Sequence, residues 1–261
     1  MFNRMALLFI LNYWMIYVYN GTMEYKYTGI ILNKRDIGET DRICTIYTLE
    51  GGKIRSMAKG VRKAHAKLAS SLENIILADI TIVRTQGLGK ITGSIIENNF
   101  TALKNNCNAV LETFSALGLF DKLVDFENPD QSVFELLKNY LETVDTCALN
   151  KNDEKHILLR LGFIIKLLHE LGYAIEANAC VMCRGALSEN SPMFSAQHGG
   201  TLCVSCGGEN LDAAIIIRAN AIKIIRLFLQ NKMSTLAKIK ATKEDCDSVH
   251  LTVDEFLRWN T

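Results

Sequence analysis

Short apolar runs separated by glycine turns fill residues 25–97, and each has the length of a β-strand, not of a helix. Tyr27 to Leu32 predicts one strand, Ile43 to Leu49 a second and Lys53 to Ala58 a third. Glu50-Gly51-Gly52 reads as the hairpin turn between the last two, because glycine supplies the positive φ that tight hairpins need. Asn74 to Thr85 is a long run rich in β-branched residues, bounded by Gln86-Gly87-Leu88-Gly89, and Ile91 to Ile96 makes a fifth strand. Five strands in so short a stretch predict a small closed barrel, with an OB-fold as the natural candidate.

From residue 100 the apolar period becomes helical. Leu103, Val110, Leu111, Phe114 and Leu117 fall at three- and four-residue steps or their multiples. Asp130 to Val144 predicts a helix with Asp130 as N-cap after Pro129. Asp153 to Leu171 is apolar nearly all round and stops at Gly172, which predicts a buried central helix. A segment at about 178–208 breaks the pattern; Asp212 to Leu229 is helical again, and Val253 to Trp259 forms a last short helix. The fold class expected is α+β multidomain: an N-terminal OB-fold β-barrel over residues 23–98, then an α-helical domain over 99–261 with an inserted four-cysteine module.

Residues 1–22 stand apart. Met5 to Tyr19 is apolar except for Asn12 and follows Arg4, as in a signal peptide, yet no A-x-A site follows. The run also falls short of the roughly 20 residues a membrane helix needs. A start-site extension before Met23 is the favoured reading, with a membrane or export segment as the alternative.

The interruption at 178–208 carries the clearest chemistry. Cys180-Val-Met-Cys183 and Cys203-Val-Ser-Cys206 form two C-x2-C pairs separated by 19 residues. That spacing turns four thiolates toward one tetrahedral ion, with Zn–S bonds of about 2.3 Å. Four protein ligands leave no open position for water, so the expected cofactor is one structural Zn2+. Two disulfides or four free thiols are the alternatives. Cys44, Cys107, Cys147 and Cys246 are scattered singly and read as small buried apolar residues. In a chain of 261 residues this usage points to a reducing cytosol and not to a secreted disulfide scaffold.

Composition adds a folded core but no partner: 49% of residues are hydrophobic, 22% charged, and the net charge is +1. The local charge is more telling. Lys53, Arg55, Lys59, Arg62, Lys63 and Lys67, with His65 among them, occur with no acidic residue between Gly51 and Leu72. Such a run on a barrel loop suits the phosphates of a nucleic acid; a solvated face is the plainer alternative. Arg35, Arg42 and Arg84 extend the candidate surface, with ordinary solvent-facing charge as the plainer reading of each. Tyr25, Tyr27 and Tyr47 are available as base-stacking platforms, although barrel packing explains them as well. Enzyme signatures fail. His169-Glu170 lacks the second histidine of H-E-x-x-H because Tyr173 stands there, and Gly87-Leu88-Gly89-Lys90 has neither dinucleotide-loop nor P-loop spacing. His198, beside the second cysteine pair, is a minor alternative ligand.

These parts resemble one family in their order. Gly29-Ile30-Ile31-Leu32, Arg35, Gly38-Glu39 and Asp41, then Gly51-Gly52-Lys53 and Ala58-Lys59-Gly60-Val61-Arg62-Lys63, resemble the N-terminal signature of the RecO family of bacterial recombination-repair mediators. Phe163, Lys166-Leu167-Leu168 and Glu170-Leu171-Gly172-Tyr173 leading into Cys180-x2-Cys183 resemble its central helix and first knuckle, and Phe194, Gly199-Gly200 and Cys203-x2-Cys206 its second. The likeness covers about 23–230. It implies a cytoplasmic, nucleoid-associated protein without an active site. It implies binding of single- and double-stranded DNA, annealing of complementary strands, and action with RecR, in one branch with RecF, so that RecA replaces single-strand binding protein. Recognition of that protein's C-terminal tail is implied too, and no membrane. Two features depart from the pattern: the leader before Met23, and Ala64-His65-Ala66 where relatives are often more basic or serine-rich. A zinc-containing RNA- or transcription-associated module and a zinc hydrolase are the competing classes.

Overall fold

A computed structural model describes residues 17–19, 22–84, 87–151, 155–187, 192–209 and 214–260. The leader reading falls for residues 1–16 outside the described residues; Tyr17–Tyr19 form a strand, β1, paired antiparallel with the start of the next. The described residues make two compact units. One comprises those of Met1–Asn99 with Asp125–Asp130; the other is Phe100–Val124 with those of Gln131–Thr261.

The first unit is a barrel of β2 (Thr22–Ile37), β3 (Asp41–Thr48), β4 (Gly52–Ala58), β5 (Leu77–Arg84) and β6 (Lys90–Asn98). β2 is far longer than the expected Tyr27 to Leu32 because it serves two partners. Its first half pairs with β5, Met23 opposite Arg84, and its second half with β3, Ile37 opposite Asp41, across an irregularity between Ile31 and Asn33. The strand order β2-β3-β4-β6-β5 closes through the β2–β5 pairing, with β4 and β6 parallel at Met57 and Lys90. This is the OB-fold topology. Ile31, Ile46, Ile54, Ile80, Ile82 and Ile91 fill the interior.

The hairpin turn forms where glycine spacing predicts it, and the glycine has a second duty. Gly52 sits at φ +64°, and a Cβ there would lie 2.5 Å from the Asn128 carbonyl. Residues 125–130 press against β4 at this point. Glu127 N–H donates to the Lys53 carbonyl at 2.9 Å, and Phe126 bridges to Lys53. Sequence reading assigned this stretch to the helical domain; the backbone pairing draws it to the barrel.

The second unit contains α1 (Thr101–Lys104), α2 (Cys107–Leu123), α3 (Gln131–Leu149), α4 (Lys155–Glu170), α5 (Val204–Glu209), α6 (Ala219–Gln230), α7 (Met233–Leu236) and α8 (Lys243–Asn260). α4 is the buried axis, as its sequence predicts: eleven of its residues are buried, and it packs on α2, α3, α6, α7 and α8. It ends in a Schellman motif, with Tyr173 N–H donating to Leu168 O at 2.8 Å and Gly172 N–H to His169 O at 3.0 Å. Arg160 is carried inside this helix and is satisfied by Glu112 at 2.5 Å. Three boundaries differ from expectation, the first being that α3 runs on past Val144 to Leu149. α6 begins at Ala219 because the β-branched Ile215–Ile216 form a strand, β9. α8 runs from Lys243 and not from Val253, its polar first half being paced by Asp245 and Val249, both buried. Among the described residues no helix is long and apolar enough to cross a membrane.

Candidate functional site

Within the helical unit, β7 (Met193–Ser195), β8 (Gly200–Leu202) and β9 form a three-stranded sheet. Two turns flank it. In the first, Arg184 N–H donates to the Cys180 carbonyl at 2.9 Å and Cys180 N–H to the Gly185 carbonyl at 3.0 Å. In the second, Cys203 leads into α5, where Gly207 N–H returns to the Cys203 carbonyl at 2.8 Å. The turns are stitched together by Val181 N–H donating to Thr201 O at 2.9 Å. Gly200 permits the approach, since a Cβ there would stand 2.4 Å from the Glu176 carbonyl.

The result brings the Sγ atoms of Cys180, Cys183, Cys203 and Cys206 within 4.8 Å of one another. A zinc tetrahedron with about 2.3 Å bonds has an edge of about 3.8 Å; Cys183 and Cys203 are 3.7 Å apart. None is in a disulfide. Burial opposes charge on Cys180, but the backbone N–H groups of Cys183, Cys203 and Met182 overcome it and draw the thiol down to about 6. Cys206 is pushed up to about 12 by the sulfurs of Cys203 and Cys183 beside it. Four sulfurs this close cannot all carry charge without a cation among them, so the donor set suits a divalent, thiophilic metal. His198 takes no part: its Nδ1 lies 2.9 Å from Ser195 Oγ. Of the four isolated cysteines, Cys44 and Cys147 are buried as expected and Cys246 is half-buried; Cys107, at the exposed start of α2, departs from that reading.

On the barrel, the basic residues divide into three kinds. Arg55, Lys59, Lys63 and Lys67 are exposed, as are Arg35 and His65. Lys53 is only 4% exposed, because it lies on the face of β4 opposite the core residue Ile54 and is covered there by Phe126 and Glu127. Its Nζ lies 4.3 Å from the centroid of Phe126, and the Arg55 guanidinium 4.5 Å from the same ring. Arg42 is held between two acids, and Arg62, although exposed, pairs with one of them. Arg42 Nε meets Asp36 at 2.8 Å and its Nη1 meets Glu73 at 3.2 Å; Arg62 Nε meets Asp36 at 3.2 Å. Glu73 also pairs with Lys34. Both arginines belong to the basic surface expected from the sequence, and the structure gives each an acidic partner that most of the other cations of that surface lack. Arg84 Nη1 is 3.8 Å from Glu127. Tyr27 and Tyr47 are core residues, and Tyr25 is half-buried against Tyr27.

The loop after β4 is held by hydrogen bonds that no sequence motif announces. Gly60 N–H donates to Asp41 Oδ1 at 2.8 Å, and Arg62 N–H donates to the Thr40 carbonyl at 3.0 Å. That first bond, with the Thr40 hydroxyl second, holds the Asp41 carboxyl below its usual range. A carboxyl depressed in the folded state favours order above its unfolded pKa of about 3.9 and loses that effect as pH falls through the lowered value. Protection of the Gly60 through Lys63 amides, taken relative to the intrinsic exchange rate at each pH, is therefore expected to be high at neutral pH, lower in acid, and low at neutral pH in Asp41→Ala. Exchange that ignores both changes would refute the latch.

Comparison with known proteins joins the two units. The family model described as Recombination protein O N terminal matches residues 23–100, and that described as Recombination protein O C terminal matches residues 114–261. A DNA repair protein RecO of Dehalococcoides mccartyi is 28% identical over 236 residues, covering 90% of this chain and 90% of its own. A protein of the same name from Myxococcus xanthus is 30% identical over 185 residues, 70% of this chain and 73% of its own. That of a Thermoanaerobacter species is 26% identical over 228 residues, 86% of this chain and 88% of its own.

Proposed function

The chain belongs to the RecO family of DNA repair proteins, and on that premise we propose that it is a recombination mediator that binds single- and double-stranded DNA and anneals complementary strands. With RecR, and with RecF where that protein takes part, it helps RecA replace single-strand binding protein, whose C-terminal tail it also recognises. The observation that carries the DNA reading is the barrel surface on which Arg55, Lys59, Lys63 and Lys67 are exposed in a stretch without acids.

Phosphate contacts neutralise the repulsion between two strands while leaving bases available to pair. The work is binding and alignment, with no bond made or broken. Cys180, Cys183, Cys203 and Cys206 hold one structural Zn2+ that braces the helical unit and contributes no chemistry to the strands.

Annealing of complementary strands coated with single-strand binding protein tests this reading. The expected result is acceleration that fades as salt rises, together with retention of RecR on the immobilised chain. Strands that anneal no faster at low salt than without the protein would exclude it.

A further inference from the structure

Beside the basic loop the barrel carries a shallow cavity of about 220 Å³, lined by Ile54, Arg55, Arg84, Leu88, Phe126 and Glu127 with the Gly87 backbone. Resting on the DNA reading above, we propose that this cavity takes one unpaired nucleobase of single-stranded DNA, with Phe126 as the aromatic wall.

Four observations point there. Phe126 is 43% exposed, although residues 125–130 are tied to β4 by backbone pairing. An aromatic ring on a rigid support, packed on Lys53 and Arg55 and still partly open to solvent, is an arrangement on which a base can stack. The Arg55 guanidinium lies 4.5 Å from the ring centroid, a planar cation that continues the stacking surface. Arg84 lines the same cavity, and its Nε–H is buried without a hydrogen-bond partner. A buried donor of that kind is costly unless something supplies an acceptor, and base carbonyl and ring-nitrogen atoms are acceptors.

The fourth observation separates base from phosphate. Glu127 stands at the rim, its carboxylate 3.8 Å from Arg84 Nη1 and largely in solvent. It accepts from an exocyclic amine and repels a phosphate, so the cavity selects the neutral, flat part of the nucleotide. The backbone then runs over the exposed Arg55 and the cations that follow. A duplex keeps its bases stacked and paired, so only single strands reach the cavity.

Phe126 was invisible as a site residue in the sequence, because it lies between two helical stretches and far from the barrel strands along the chain. The test uses the full chain, a single-stranded oligonucleotide with one 2-aminopurine, and the matching duplex. Binding of the single strand to the wild-type protein is expected to quench the 2-aminopurine, and binding of the duplex is not. Phe126→Leu keeps an apolar side chain but removes the π-face. It is expected to weaken single-strand binding about 5- to 100-fold, with an unchanged salt slope and unchanged duplex affinity, while Phe126→Trp retains binding. No quenching, or an equal loss on duplex and single strand, overturns the proposal while leaving the basic surface standing. A wild-type chain that binds neither form of DNA overturns both.

Discussion

Cys180→Ser is expected to empty the metal centre and melt the segment around it while the helical core stays folded. The reason is the size of what remains without the ion. The sheet has strands of three, three and two residues, and its own core consists of Cys180, Met193 and Leu202. So small a cluster cannot offset the conformational entropy of ordering some 30 residues at about 1–2 kcal/mol each. Metal coordination can, since structural zinc contributes about 10–16 kcal/mol in finger peptides. Bound zinc should fall from about one ion per chain to near none, and proteolysis should begin between residues 178 and 209. The packing of α4 on α2, α3, α6, α7 and α8 should keep the rest of the unit cooperative. A chelator acting on the wild-type chain should give the same pattern. Stoichiometric metal and intact protease resistance in Cys180→Ser would rule out four-thiolate coordination.

The second large effect is electrostatic. Charge reversal of Lys59 and Lys63 together should weaken binding to single- and double-stranded DNA of any sequence by one to two orders of magnitude at low salt. These two residues are the cleaner choice because both are exposed, whereas Arg62 is paired with Asp36 and its removal would also loosen the loop. If about four cations meet duplex phosphates, log affinity falls against log salt with a slope of about −3.6. Losing two of them should bring the slope to about −1.8. Isothermal titration over a salt series reads both quantities. An unchanged slope in the double variant would remove the loop from the binding surface, whatever happens to the affinity.

Much of this was legible in the residues themselves. The barrel strands were readable because they are short segments set off by glycine turns, and α4 because its apolar positions run on far past the length of a strand. The four-cysteine cluster was readable at the level of single residues, since C-x2-C turns are local and set the placement of their own sulfurs. The basic run was visible as charge, but its division into exposed and committed cations was not. Lys53, Arg42 and Arg62 look like Lys59 and Lys63 in a sequence. What separates them is the cover that residues 125–130 lay over Lys53 and the carboxylates of Asp36 and Glu73 beside the two arginines, all distant along the chain.

The sequence by itself therefore determined the family, the order of barrel, helices and cysteine module, and the four cysteines that cluster, because each rests on short-range pattern or spacing. Only the tertiary structure decided that the barrel closes through one long strand shared by β3 and β5. It alone brought residues 125–130 back onto β4, and it placed Phe126 beside Arg55 and Arg84 over a cavity. Those features arise from pairings between residues distant along the chain, and no local preference encodes which distant partner a strand or an aromatic ring will meet.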